Sequence, residues 1–279
     1  MKFLQINDKL GAPRCLVGDP QKDLLFVGQG YKLYLASTPD GTKSGFLRLP
    51  ERRQGNAAMQ LEVEKLNFLA SASEDTEAAY QKVKNDPDAR VHYDWLFPTL
   101  VDSFVSNQDQ DFRQGNLLGA KDADLRDFFA LPKLMSKYKV DAKTAAWILG
   151  RFFKMQIFTE EVGIRYNFYP DQVVLEPKMH RMVYLGWYLS DIDAKWDNVA
   201  HASKCILDFV QPDESPGDEA FMKTLELLSA ANGMTGEQAH RILYATIDKY
   251  WGYKYHPFTY FDKKTTTWHR LDGAEIFNP

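Results

Sequence analysis

The chain of 279 residues is poor in cysteine: Cys15 and Cys205 are the only two, so at most one disulfide can form. A disulfide-dense scaffold is therefore excluded. No apolar run approaches the roughly 18–20 residues that a membrane span requires, and the first residues are too polar for a signal peptide. A large excess of charge of one sign is also lacking, because the formal net charge is only −4. These absences predict a cytoplasmic protein that does not enter a membrane, and they remove overall positive charge as an argument for nucleic-acid binding.

Aromatic residues, in contrast, are abundant, since 18 Phe, 14 Tyr and 6 Trp make up 14% of the chain. Such side chains bury large areas and offset the entropy cost of ordering, so the composition argues against disorder. Hydrophobic residues at 44% and charged residues at 26% are typical of a globular protein. The length suits one large domain or two small ones. Composition alone indicates no function.

The first 55 residues show a β pattern. Residues 24–27 form an apolar run, and residues 31–36 alternate between bulky apolar and other side chains. A turn signal at Thr38-Pro39-Asp40-Gly41 precedes a third predicted strand at residues 45–49. This segment predicts a small antiparallel sheet, joined to the rest of the chain by the polar residues 52–56.

Beyond residue 56 the spacing of apolar residues is mostly helical. The strongest signal is at residues 141–154, where Asp141 is well placed as an N-cap. Thr235 and Gln238 match a capping box that begins a helix reaching about Tyr250. Further helices are predicted at residues 76–84, 95–106, 177–189, 196–210 and 220–231.

The end of the chain is different again, because seven of the twelve residues from Tyr250 to Phe261 are aromatic. We expect this tail to pack on the helices. The sequence therefore predicts a mainly α fold: a helical domain at residues 56–279 with an aromatic-rich C-terminal tail, preceded by a small β-rich segment at residues 1–55.

A local excess of positive charge lies in residues 133–154, which carry a net charge of +5 within an acidic chain. One interpretation is a solvated helix face. The other is a turn at which helix N-terminal amides and lysines contact phosphates of a nucleic acid. The charged residues are Lys133, Lys137, Lys139, Asp141, Lys143, Arg151 and Lys154.

Residues 134–149, LMSKYKVDAKTAAWIL, resemble the hairpin and second helix of the helix-hairpin-helix DNA glycosylases. Lys143-Thr144-Ala145 stands where bifunctional members carry their Schiff-base lysine. Residues 97–108 are similar to the early helix of that family, and residues 174–181 to the segment that holds its acidic residue. The hairpin glycine is replaced by Asp141. The branches that fit best are the queuosine-nucleotide glycosylases and the phage proteins that modify thymine.

The resemblance implies an enzyme that acts on a nucleobase of DNA or of a nucleotide, by N-glycosidic bond cleavage or a related base transfer. Lys143 would be the nucleophile or a phosphate anchor. Glu176, with Asp171 in reserve, would stabilise the oxocarbenium charge. No cofactor and no metal are expected, and the partner would be a nucleic acid or nucleotide rather than a membrane.

Two further sets of residues are expected in such an enzyme. An extruded base needs planar walls. These would come from Tyr166, Tyr169 and Trp147. Contacts to the nucleic acid would come from Lys137, Lys139, Thr144, Arg151 and Gln108.

Two alternatives stay open at this point. In the first, a non-catalytic module binds a nucleic acid or an acidic protein through the basic turn, with salt-sensitive affinity and no turnover. In the second, the chain is a structural component of an assembly and exposes a large apolar surface. A pocket that brings Lys143 and a carboxylate together would favour the enzyme.

Overall fold

The computed structural model describes residues 4–28, 30–107, 111–189 and 197–272. Within these ranges it contains six α-helices and thirteen β-strands. The chain divides into two compact units, with residues 1–128 and 183–190 in unit 1 and residues 129–182 and 191–279 in unit 2. The prediction of a mainly α fold is wrong, because unit 1 is built on a seven-stranded sheet.

The sheet of unit 1 is antiparallel in each of its described pairs. Its order is β1-β2-β4-β5-β7-β6, and β3 pairs with β4. The predicted antiparallel strands near residues 24–49 are confirmed as β3, β4 and β5. The strands are β1 (Leu4–Asn7), β2 (Pro13–Val17), β3 (Leu24–Gly28), β4 (Tyr31–Ser37), β5 (Ser44–Pro50), β6 (Thr99–Ser106) and β7 (Arg113–Gly119).

Strand β6 replaces the helix that was predicted at residues 95–106. Thr99, Val101 and Val105 are β-branched, and such side chains fit a pleated surface better than a helix. Pairing with β7 buries Phe104 in the core of unit 1, together with Ile6, Leu47 and Leu117. Tertiary pairing therefore outweighs the helical spacing of the apolar residues in this segment.

The long helix α1 (Asn56–Lys84) follows β5 and packs on the sheet at β6 and β7. It buries Met59, Leu66 and Leu69. The predicted helix at residues 76–84 is only its last part. The helix ends at Lys84, and its C-cap Asn85 takes a left-handed conformation with φ of 51° and donates its N–H to the carbonyls of Gln81 and Lys82.

Unit 2 carries the remaining five α-helices of the described chain. Helix α3 packs on α6, and α5 packs on both α4 and α6. These helices are α2 (Leu131–Lys137), α3 (Ala142–Glu161), α4 (Asn198–Leu207), α5 (Pro216–Ser229) and α6 (Gly236–Tyr250). No helix of the described ranges combines the length and the apolar character needed to cross a membrane.

Short strands complete the fold. In unit 2, β8 pairs with β10, while β12 pairs with both β9 and β13. The helix predicted at residues 177–189 is wrong, because residues 181–184 form strand β11. The strands are β8 (Phe129–Ala130), β9 (Tyr138–Val140), β10 (Val173–Glu176), β11 (Arg181–Tyr184), β12 (Phe258–Asp262) and β13 (Thr267–Leu271).

Helix α3 confirms the strongest sequence prediction. The Asp141 carboxylate caps it, because Oδ1 accepts a hydrogen bond from the Thr144 amide at 2.8 Å. The predicted apolar stripe is buried along the helix. Its members are Ala145, Ile148, Leu149, Phe152 and Phe153.

Helix α6 begins with the predicted capping box. Thr235 Oγ1 accepts from the Gln238 amide at 3.2 Å, and Gln238 Oε1 accepts from the Thr235 amide at 3.0 Å. We expect Thr235→Ala to lower the free energy of unfolding by about 1 kcal/mol, because one helix amide loses its acceptor. Urea unfolding followed by circular dichroism measures this. Thr235→Ser keeps the hydroxyl and should stay within a few tenths of a kcal/mol of the wild type; an equal loss in both variants would contradict the capping role.

Candidate functional site

A buried ion pair lies at the centre of unit 1. Arg48 on β5 donates a hydrogen bond to Glu62 on α1, and their side chains are only 1% and 0% exposed. The other carboxylate oxygen, Oε2, accepts from Asn116 Nδ2 at 2.9 Å. The same amide group donates to the Met59 carbonyl at 2.9 Å. Both oxygens of the buried carboxylate therefore have a donor, which a buried charge requires.

Aromatic rings cover the guanidinium of Arg48. Its central carbon lies 4.1 Å from the centroid of the Tyr188 ring, a cation–π distance. Tyr31 packs edge-on against Tyr188 with centroids 4.5 Å apart. Burial raises the pKa of Glu62 from its ordinary value, while the Arg48 charge and the Asn116 hydrogen bond oppose that rise. Sheet, helix and aromatic side chains thus fix this cation in a closed site.

The segment between α3 and β10 is irregular and is held by Asn198 at the start of α4. Asn198 Nδ2 donates to the Tyr166 carbonyl at 2.9 Å, and its Oδ1 accepts from the Phe168 amide at 2.8 Å. The Tyr166 hydroxyl donates to Gln156 Oε1 at 2.8 Å. This segment is therefore part of the packed body of unit 2.

One carboxylate, Asp171, occurs in residues 162–172. It lies half-buried in the short 3-10 turn Pro170–Gln172. Burial raises the pKa of its carboxyl group, and a hydrogen bond from Gln172 opposes that rise.

Glu176, the other predicted carboxylate, ends strand β10 and is 3% exposed. Its side chain accepts hydrogen bonds from the amides of Lys178 at 3.0 Å and Met179 at 2.6 Å. These bonds close the turn towards β11. The helix predicted from residue 177 onwards is absent here, because a turn at residues 177–180 follows Glu176 instead.

Three predicted residues come together on one face of α3. Lys143, Trp147 and Arg151 are spaced i, i+4 and i+8, and all three line a cavity of about 530 Å³ within unit 2. His180 also lines it and stacks on Trp147, with centroids 4.6 Å apart and planes 8° apart. Burial is the main cause that lowers the pKa of His180 to about 4, with Arg151 and His256 contributing.

The other predicted site residues of the described ranges do not line this cavity. Thr144 is buried and accepts from the Thr259 amide at 3.0 Å, so it fastens α3 to β12. Lys139 Nζ donates to the Asp208 carbonyl at 2.5 Å. Lys137 is exposed at the end of α2, and Tyr169 is half-buried in the irregular segment. Gln108 lies outside the described residues.

Sequence reasoning missed the pair of Arg48 and Glu62. A signal was present, because Arg48 interrupts the apolar residues 46–49 of a predicted strand. A charged residue in a buried strand needs a partner. Its partner could not be chosen without knowing which helix covers the sheet.

No protein-family model and no curated protein matches the chain. Solved structures do. Vaccinia related kinase 3 matches with a TM-score of 0.54 and 11% identity, over 89% of this chain and 91% of that chain. The Mycobacterium tuberculosis PknI kinase domain matches with a TM-score of 0.50 and 11% identity, over 89% of this chain and 97% of that chain. The fold is therefore that of protein kinases.

These comparisons correct the resemblance to helix-hairpin-helix glycosylases, which is wrong. Lys143-Thr144-Ala145 does begin a helix, but strand β9, paired with β12, precedes it. The prediction of an enzyme acting on a nucleobase is overturned, as is that of a nucleic acid as partner. The alternative, a module that binds nucleic acid or protein through the basic turn, gains no support either.

Proposed function

We propose that this chain is a kinase-fold protein that transfers no phosphoryl group and acts through its conformation. Protein kinases use a Gly-x-Gly-x-x-Gly loop over the phosphates, a Lys–Glu pair between a strand and the long helix, the Asp of His-Arg-Asp-x-x-x-x-Asn as base, and the Asp of Asp-Phe-Gly on Mg²⁺. The sequence contains no Gly-x-Gly-x-x-Gly, no His-Arg-Asp and no Asp-Phe-Gly.

We infer from spacing which residue corresponds to the catalytic base of kinases. In kinases the base lies five residues before an Asn, in the loop that precedes a two-stranded hairpin. We take Gln172, which immediately precedes β10, as the counterpart of that Asn. Asn167 lies five residues before Gln172 and is therefore the counterpart of the base. An amide cannot take a proton from a substrate hydroxyl as a carboxylate does.

The position of the metal-binding Asp follows from the end of the same hairpin. Strand β11 ends at Tyr184, and Leu185 and Gly186 follow it. We align these three residues with the Asp, Phe and Gly of kinases, so Tyr184 is the counterpart of the metal-binding Asp. Tyr184 is fully buried, with its ring 5.3 Å from that of Trp187. A buried phenol offers Mg²⁺ neither charge nor a free coordination site, so these residues do not fit the ion that kinases use with ATP.

The burial of Arg48 is the observation that carries the proposal. Kinases use a lysine at this point that reaches both the phosphates and the helix glutamate. Arg48 is 1% exposed, contacts Glu62 and lies against Tyr188. Its function is therefore to fix α1 on the sheet, in the arrangement that kinases adopt only when active.

We expect no transfer of phosphate from ATP by the full chain. The measurement is incorporation of the γ-phosphate label into the chain and into a basic protein substrate, with Mg²⁺ or Mn²⁺. Label should not exceed that of the heat-denatured chain, while an active kinase in a parallel reaction reports that the assay works.

Incorporation that grows with the amount of chain would contradict the proposal. Asp171→Asn then tests whether Asp171, the lone carboxylate of residues 162–172, serves as the base. Glu161→Gln is the matched control, because Glu161 is exposed at the end of α3. Activity lost in Asp171→Asn and kept in Glu161→Gln would make the chain an active kinase with a displaced base.

A further inference from the structure

The cavity beside α3 has the size of a small-molecule site. Its volume of about 530 Å³ lies within the range of ligand pockets. All of its lining residues belong to unit 2 and come from α3, α6, the turn between β10 and β11, and residues 251–256. None of the residues at the kinase-like positions lines it: Arg48, Glu62, Asn167, Gln172 and Tyr184 all lie elsewhere.

The charge of the cavity wall is one-sided. Lys143, Arg151 and Lys254 line it, and no Asp or Glu does. Arg151 is the deepest of these cations and is half-buried, whereas both lysines are exposed. Across the described ranges of the chain, its guanidinium has neither a hydrogen bond nor an ion pair. Burial lowers its pKa. A half-buried cation without a counter-charge is costly, and a bound anion would remove that cost.

Two aromatic stacks flank this cation. In the first, His180 lies between Trp147 and Tyr255, with the Tyr255 ring centroid 5.1 Å away and 10° from parallel. In the second, Tyr244 stacks on Tyr253 at 5.9 Å and 21°. Arg151 acts electrostatically on both His180 and Tyr244. Each stack ends in a tyrosine that is about two-thirds exposed, Tyr255 at 70% and Tyr253 at 67%.

Such walls select a flat ring. Aromatic faces bind planar groups by stacking, and a guanidinium binds a carboxylate through two parallel hydrogen bonds. We propose that this cavity binds a small planar aromatic anion, with the ring against the tyrosines and the anionic group on Arg151. Lys143 and Lys254 would attract the anion to the mouth of the cavity.

The experiment is isothermal titration calorimetry of the full chain with three probes at neutral pH in a buffer without other aromatic anions. The probes are 2-naphthoate, which has a ring and a charge, 2-naphthol, which has the ring alone, and acetate, which has the charge alone. We expect saturable binding of 2-naphthoate, and binding at least tenfold weaker for each of the other two.

Two variants test the contacts separately. Arg151→Gln should weaken 2-naphthoate binding at least tenfold, because it removes the charge on the cavity wall. Tyr255→Ala should weaken it at least threefold, and this exposed residue can be removed without disturbing the core. Arg241→Gln is the matched control on α6. Its side chain is 77% exposed and pairs with Glu237, so binding should be unchanged.

Several outcomes would overturn the proposal: no saturable binding of 2-naphthoate, equal affinity for 2-naphthol, or unchanged affinity in both Arg151→Gln and Tyr255→Ala. Circular dichroism of each variant shows whether it is folded. If Arg151→Gln fails to fold, the three-probe comparison and Tyr255→Ala still decide. Since the cavity shares no residue with the kinase-like positions, phosphate transfer by the chain would leave this proposal standing.

Discussion

Replacing Glu62 with leucine should lower the free energy of unfolding by about 3–5 kcal/mol. The variant removes the Glu62 carboxylate that accepts a hydrogen bond from Arg48, whose side chain is 1% exposed in the core of unit 1. Water cannot reach this cation to replace the lost carboxylate, so the desolvation penalty of the buried charge lowers the stability of the folded chain. Arg48→Met should lower the free energy of unfolding by a similar amount, because it leaves the Glu62 carboxylate buried without the Arg48 charge. Urea unfolding followed by circular dichroism measures both losses.

The double variant Arg48→Met/Glu62→Leu separates the pair from the rest of the core. With both charges gone, apolar side chains of similar volume fill the site, so the double variant should recover most of the free energy of unfolding that each single variant loses. Asn116 keeps one acceptor in that variant, the Met59 carbonyl. A double-mutant cycle should therefore show strong coupling, well above the roughly 0.5 kcal/mol within which independent sites add. Additive losses would contradict the buried pair.

A surface pair serves as the control for this prediction. Arg126 and Asp124 are close in space, but their side chains are 75% and 42% exposed. Solvent screens such a pair, so Arg126→Ala should change the free energy of unfolding by less than about 1 kcal/mol. The contrast tests burial itself, since both sites join an arginine to a carboxylate.

Local signals explain what the sequence could predict of the fold. The turn at residues 38–41 predicted the hairpin of β4 and β5, and the capping residues Asp141 and Thr235 predicted where α3 and α6 begin. In each case the residues that determine the element are neighbours in the chain. Such patterns depend little on the rest of the fold.

Residues 95–106 and 177–189 were predicted as helices because their apolar residues fit helical spacing. Short apolar segments fit both the helical period and the strand period, and pairing partners distant in the sequence decide which element forms. Strand β6 forms because β7 offers seven paired residues. The mainly α prediction failed for this reason, since β6 and β7 extend the sheet beyond the β-rich segment at residues 1–55.

The same distinction applies to the sites. Lys143, Trp147 and Arg151 share one face of α3, a helix that local signals predicted, because their spacing is i, i+4 and i+8. Arg48 and Asn116 meet Glu62 only because α1 packs on the sheet, and Asn116 is 54 residues from Glu62. The glycosylase resemblance rested on Lys-Thr-Ala at a helix start, a local pattern that does not determine how β9 and β12 pair.

Acidification from pH 7 to pH 5 should destabilise the protein in part through His180. The pKa of His180 is lowered to about 4 in the folded chain, whereas an unfolded histidine titrates near 6.5. Above pH 6.5 both states are neutral and the stability is fully present. As the pH falls towards 4, only the unfolded chain takes up the proton, so unfolding becomes easier. At pH 5, after allowance for partial exposure, this loss is about 1–2 kcal/mol.

His180→Phe isolates this contribution. Phenylalanine can occupy the stack between Trp147 and Tyr255 and binds no proton, so the variant should lose about 1–2 kcal/mol less than the wild type between pH 7 and pH 5. His201 and His240 also have a lowered pKa through burial, and they titrate alike in both proteins. Equal pH dependence in wild type and His180→Phe would mean that His180 takes up its proton in the folded chain, beside the cation Arg151, at an ordinary pKa. Such a result would require solvent or a counter-charge in the stack.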